Sequence, residues 1–178
     1  TPSNSSAASD VYKRQVYTPL NNSEKYTLVL MGRADFGLLG SYNKYKQTPF
    51  ETFHVGGDGM TGSYTYATET IGLRGYDNGA LTPYSDGRAY TRFSMELHFP
   101  FLLQPSSTIY GLAFVEGGNA WTSLENFNPF SLKRSAGVGV RIFLPMIGLM
   151  GIDWAYGFDK VQGEKGGGHF HFILGQEF

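Results

Sequence analysis

An arginine set among glycines is the feature of this 178-residue sequence best suited to a specific contact. Ile71-Gly72-Leu73-Arg74-Gly75-Tyr76 lies in a long polar, glycine-rich stretch, residues 41–88, and two carboxylates, Glu96 and Glu116, follow it. A guanidinium is a planar fork that matches carboxylate geometry, and a neighbouring glycine permits close backbone approach. The residues alone leave two placements open. Either the stretch folds inward and brings Arg74 between Glu96 and Glu116, or Arg74 is a surface arginine on a loop.

Other chemistry has less to stand on. His169 and His171 share one strand face at i and i+2, and a metal shared with Glu177 or Asp159 is conceivable. No third ligand is well placed, so a solvated pair is the favoured reading. Gly57-Asp58-Gly59-Met60-Thr61-Gly62 matches G-x-G-x-x-G, but Ser63-Tyr64-Thr65-Tyr66 follows without helical period, whereas a dinucleotide site needs a helix there. Asp153 and Glu116 could pair for acid–base work; bracing an interior suits them better. Neither a nucleophile elbow nor His-Glu-x-x-His occurs. We expect no enzyme and no cofactor.

Composition narrows the field further. The net charge of −1 offers no field for nucleic acid. Cysteine is absent, which removes disulfides and thiolate chemistry together. Only 16% of residues are charged while 14 Phe and 12 Tyr are present, a balance that fits pleated surfaces. The stretch Ile142 to Ile152 carries Pro145, Gly148 and Gly151 and is far short of a spanning helix. That leaves β-barrels open, because their strands are polar at alternate positions.

The elements that must position Arg74 and its partners read as strands. Period-two alternation recurs in separate blocks. Phe93, Met95, Leu97 and Phe99 oppose Arg92, Ser94, Glu96 and His98. Val138, Val140 and Ile142 oppose Gly137, Gly139 and Arg141, and Ile152, Trp154 and Tyr156 oppose Gly151, Asp153 and Ala155. Similar blocks start near Tyr26, Thr108 and Phe170. Six strands of about ten residues result, each spanning roughly 25 Å when tilted, the height of an outer-membrane apolar band. Turns at 21–25, 100–107 and 145–148 are short, and residues 41–88 form the long loop. Six strands do not close a barrel, for which eight is the smallest usual count. The expected fold is therefore all-β: the C-terminal six strands of an antiparallel transmembrane β-barrel, with one long loop folded into the lumen. Residues 1–15 show no pattern and are expected to be a tail or an artefact, leaving 16–178 as the barrel portion. Thr1-Pro2, without Met or a signal-peptide pattern, suggests a mature product or a fragment.

A family resemblance rests on six segments in order: Val29-Leu30-Met31-Gly32-Arg33, Pro49-Phe50-Glu51-Thr52-Phe53-His54-Val55-Gly56-Gly57, Leu73-Arg74-Gly75-Tyr76, Ser94-Met95-Glu96-Leu97-His98-Phe99-Pro100, Phe114-Val115-Glu116-Gly117-Gly118-Asn119-Ala120-Trp121, and Phe170-His171-Phe172-Ile173-Leu174-Gly175-Gln176-Glu177-Phe178. Over roughly residues 16–178 the chain resembles the BamA family of outer-membrane β-barrel assembly factors, in the bacterial surface antigen (outer-membrane insertase) superfamily. The resemblance implies that Leu73, Arg74, Gly75 and Tyr76 tip a loop braced inside the barrel by Glu96 and Glu116. Glu116 stands where related sequences commonly carry Asp, which leaves open which carboxylate takes the bidentate contact. The family's earlier strands and periplasmic POTRA repeats are not among these 178 residues.

The function so implied is folding and inserting β-barrel proteins in the outer membrane of a Gram-negative cell. Its partners would be outer-membrane lipid, unfolded β-barrel clients and accessory lipoproteins of an assembly complex. Rival readings are a two-partner-secretion pore of the same superfamily and a plain porin. Phe172, Leu174, Gly175 and Phe178 are expected to form a C-terminal strand signal and gate, with Gly175 as a kink point. A spanning strand that ends on an aromatic needs its last residue, because rings anchor barrels at the interface. Deleting Phe178 should therefore block assembly of the intact protein far more than Gln176→Ala, read by heat-modifiable gel mobility of outer membranes. Equal amounts of folded barrel would remove this residue's special role.

Overall fold

The computed structural model describes residues 7–21, 27–41, 52–59, 68–82, 87–104, 107–146, 148–161 and 166–174. Seven long strands form one antiparallel sheet: β1 (Ala7–Pro19), β2 (Val29–Ser41), β5 (Ala89–Gln104), β6 (Ser107–Trp121), β7 (Lys133–Leu144), β8 (Gly148–Gly157) and β9 (Gly168–Leu174), in that spatial order. Two four-residue strands, β3 (Thr52–Val55) and β4 (Thr68–Ile71), pair in parallel within the connection from β2 to β5.

Alternation in sequence becomes a two-faced sheet. On β8, Ile152, Trp154 and Tyr156 are exposed, whereas Asp153, Ala155 and Gly157 between them are buried. On β9, Phe170, Phe172 and Leu174 are exposed around buried His171 and Ile173. On β5, exposed Met95 sits between buried Ser94 and Glu96. The polar face is the covered one and the apolar face is bare, the inverse of a water-soluble sheet. A barrel strand in lipid requires that inversion, with apolar residues outward and polar residues in the lumen.

Seven strands stand where six are expected. Residues 7–15, expected to be part of a tail, begin β1, which pairs with β2 from Ala7↔Ser41 to Pro19↔Val29. The register explains why its alternation is invisible. Lys13 shares the face of Asp35 while Arg14 shares that of Ala34, so both faces of β1 carry charge. Pairing with β2, and not a periodic pattern, makes this segment a strand.

The two rims differ. The connections β5–β6 and β7–β8 are tight; Gly148 takes φ +95 in the second. The opposite rim carries the links β2–β5, β6–β7 and β8–β9, the first of which spans most of residues 41–88. This link, expected to lack strands of its own, holds β3 and β4, and it has a hydrophobic core. Phe53, Val55, Ile71, Leu73, Tyr76 and Leu81 pack together with Leu39, Tyr90 and Ala120 of the sheet. Burial of these apolar side chains drives the loop onto the inner face of the sheet.

The exposed row of β8 gives a direct test. Ile152 is 52% exposed. If lipid covers it, Ile152→Arg in the intact protein should cost about 2–4 kcal/mol near the midplane, and Ile152→Leu much less. Denaturant titration of folding into vesicles measures both; equal stabilities would place this face in water.

Candidate functional site

The tip of the folded-in loop ends in a fully buried arginine. Arg74 has 0% exposure and is surrounded by carboxylates from three strands. Its Nη2 donates to Glu96 Oε1 of β5 and, at 2.6 Å, to Glu116 Oε1 of β6. Its Nη1 donates to Asp153 Oδ2 of β8 at 3.0 Å. The Cζ atom lies 3.6 Å from the centroid of the Phe114 ring, a cation–π contact in a site closed to water. Burial alone disfavours the charge, but Glu116 and Glu96 outweigh it and raise the Arg74 pKa above the ordinary arginine value.

Each carboxylate is itself partnered. Arg141 of β7 holds Asp153 through two bonds, Nη1 to Oδ1 at 2.5 Å and Nη2 to Oδ2 at 2.7 Å. Ser94 Oγ donates to Glu116 Oε1 at 3.0 Å, and Arg92 Nη2 lies 3.7 Å from the same oxygen. Glu96 Oε2 meets His98 Nε2 at 2.9 Å. Arg92 also approaches Asp35, which is held by Arg33 at 2.8 Å. Among the described residues, Arg33, Arg74, Arg92 and Arg141 thus face Asp35, Glu96, Glu116 and Asp153, and the charges balance.

Local sequence makes room for this cluster. A Cβ on Gly139 of β7 would strike Asp153 Oδ1, and one on Gly137 would sit 2.5 Å from Phe114 Cζ. The Gly137-Val138-Gly139 alternation therefore places empty space inward, where the carboxylate and the ring must lie, and Val138 outward. Gly75 has φ +89, and a Cβ there would meet Ser135 Cβ at 2.9 Å and Gly157 N at 3.0 Å. Both its conformation and its crowding call for glycine.

The loop backbone is fastened as well as its charge. Arg74 N donates to Glu116 Oε2 at 2.9 Å, so Glu116 uses one oxygen on the amide and the other on the guanidinium of the same residue. The next amide, Gly75 N, donates to His171 Nε2 of β9 at 2.9 Å. Tyr76 donates its hydroxyl to Arg134 O of β7 at 2.6 Å, and burial raises its pKa. Leu73 is fully buried in the loop core, where its carbonyl accepts from Gly57 N at 3.1 Å.

The structure thus brings Leu73, Arg74, Gly75, Tyr76, Glu96 and Glu116 into one cluster. Among the described residues, Glu96, Glu116 and Asp153 share the guanidinium, each through one oxygen. Phe172 and Leu174 lie elsewhere, exposed on the outer face of β9, and Gly175 and Phe178 fall outside the described residues. Sequence reasoning missed Asp153 as the third partner and His171 as a backbone acceptor, although both stood on the correct faces. The signal for Asp153 was Gly139, its partner across the ladder. His169, considered with His171 for a metal, instead has its Nδ1 3.2 Å from Asp77 Oδ1 of the loop.

Residues 1–178 match the Omp85 superfamily domain. The fold is similar to a solved structure of BamA from Haemophilus ducreyi lacking POTRA domains 1–3, with a TM-score of 0.63 and 20% identity over 93% of this chain. The chain spans 34% of that protein's solved chain. No match is found among curated proteins.

Removing one member of a buried ion cluster leaves the others uncompensated, at about 3–5 kcal/mol. Arg74→Ala in the intact protein should therefore destabilise the barrel by about that amount. Arg74→Lys keeps the charge but loses the fork, costing about 1.5–3 kcal/mol of charged hydrogen bonding. Gly75→Ala should cost about 1–3 kcal/mol through its backbone conformation alone. The temperature at which heat-modifiable gel mobility is lost reports all three; wild-type values for Arg74→Ala would place the arginine in solvent.

Proposed function

The chain belongs to the Omp85 superfamily of outer-membrane β-barrel proteins, and from that premise we propose that it is the C-terminal portion of a BamA-type barrel that folds and inserts other β-barrel proteins. The observation that carries this reading is the fastening of the loop tip across the inner face by Arg74 and three carboxylates. A diffusion pore needs an open, hydrated interior. Here a loop with its own apolar core packs on the inner face of the sheet, and a charge-balanced cluster fastens its tip there.

The chemistry required is strand pairing. A sheet edge presents unpaired backbone N–H and C=O groups, and an incoming client strand can add to it. In lipid such groups are costly when unsatisfied, so an edge that opens next to the bilayer favours any strand that completes it. No covalent bond is made or broken, and the reading calls for no cofactor. Unfolded barrel clients and outer-membrane lipid are the partners it requires, and accessory lipoproteins of an assembly complex are proposed with them.

Reconstitution tests the proposal. Vesicles carrying the intact protein should fold a urea-unfolded eight-stranded barrel faster than empty vesicles or vesicles carrying a porin, read by heat-modifiable mobility over time. The same preparation should show no large, steady conductance. A client folding rate equal to that of empty vesicles, together with porin-like conductance, would overturn the assignment.

A further inference from the structure

The contact between loop tip and last strand has a property the arginine cluster lacks. Gly75 N is a backbone amide and can only donate, so the nitrogen it meets, His171 Nε2, must be an acceptor. The bond therefore exists only while His171 is neutral with its proton on Nδ1. A protonated imidazole donates from both nitrogens, and two donors would then face one another. His171 is 6% exposed, so water has little access to separate them.

We propose that His171 is a proton-operated latch on the loop: neutral, it holds the Gly75 amide, and protonated, it lets go of the loop tip. Its surroundings set the stage. His169, on the same strand, stacks on it with centroids 6.2 Å apart and is itself beside Asp77. Asp153 of β8 is its partner across the ladder, Glu116 reaches it electrostatically from β6, and Asp58 does so from the loop. Arg74 precedes the latched amide, and Arg141 of β7 enters through Asp153. Asp153 and Glu116 already hold arginines, and a new imidazolium acts electrostatically on the same two carboxylates. Protonation thus removes a backbone bond and draws on the carboxylates that hold the guanidinium beside it.

The consequence, a loop freer to move during client insertion at mildly acidic pH, rests on the function proposed above; the latch does not. Histidine is the side chain whose ordinary titration lies near neutrality. The test is hydrogen exchange of the 71–76 peptide in the intact protein at pH 7.5 and 5.0, corrected for the intrinsic pH dependence of exchange. Loss of one net hydrogen bond corresponds to roughly a tenfold fall in protection. Wild type should lose about that much at pH 5.0. His171→Gln, whose amide oxygen accepts at every pH, should keep equal protection at both, while His169→Gln should behave as wild type. Heat-modifiable mobility checks that each variant is folded. Flat wild-type protection overturns the latch whatever the variants do, and so does a pH response that survives in folded His171→Gln or vanishes in folded His169→Gln. Client folding at pH 7.5 is scored separately. A working latch without client folding would refute only the assembly role.

Discussion

A guanidinium with no exposed surface dictates much of what surrounds it. An uncompensated ion costs several kcal/mol away from water, so Arg74 must be met by carboxylates, and they in turn by further cations. This requirement propagates outward from Arg74 through Glu116 and Asp153 to Arg92 and Arg141, and on through Asp35 to Arg33. Among the described residues it takes in four arginines and four carboxylates at the inner face of the sheet. The small residues between them follow from the same demand. Ser94 supplies a donor in little space, and Gly137 and Gly139 leave room for the Phe114 ring and the Asp153 carboxylate.

Because the cluster draws on separate strands, the loop tip joins elements that the ladder links only to their neighbours. Arg74 reaches β5, β6 and β8, Gly75 reaches β9, and Tyr76 reaches β7. A change in the loop is therefore felt at once by five consecutive strands. The apolar core of the loop plays a different part. Phe53, Val55, Ile71 and Leu81 give the tip a stiff base, so that Arg74 arrives in place rather than searching for its partners. Rigid support of this kind reduces the entropy lost on forming the ion contacts.

Much of this was legible in the chain, and the failures have physical causes. The alternation of β2 and β5 through β9 is visible because one face meets an apolar medium and the other does not. β1 escapes because Lys13 and Arg14 put charge on both faces, so nothing periodic remains to be read. β3 and β4 escape because four residues are too few for a period-two signal, and their pairing is parallel and set by the loop core. Arg74, Glu96 and Glu116 could be grouped from residue type and family pattern. Asp153 was not assigned to Arg74, since the two are 79 positions apart and it is the folding of the loop onto the sheet that brings them together. His171 reads as half of a solvated pair, whereas it is buried against a backbone amide, a role that no side-chain pattern reveals.

Charge alone does not account for the geometry at the tip. A guanidinium among carboxylates could pivot and still satisfy Coulomb's law, because the attraction depends on distance and only weakly on orientation. What fixes the orientation is the pair of consecutive amides, Arg74 N and Gly75 N, which donate to Glu116 of β6 and His171 of β9. The second amide is aimed by a residue at φ +89, a region that a side chain disfavours. Gly75 is thus required for direction as well as for clearance. The longer side chain of Glu116 has a matching purpose, reaching the backbone with one oxygen and the guanidinium with the other. Side chain and main chain of one residue are thereby held by one carboxylate. The loop tip is seated by directional hydrogen bonds, and the ionic cluster supplies the depth of the seat.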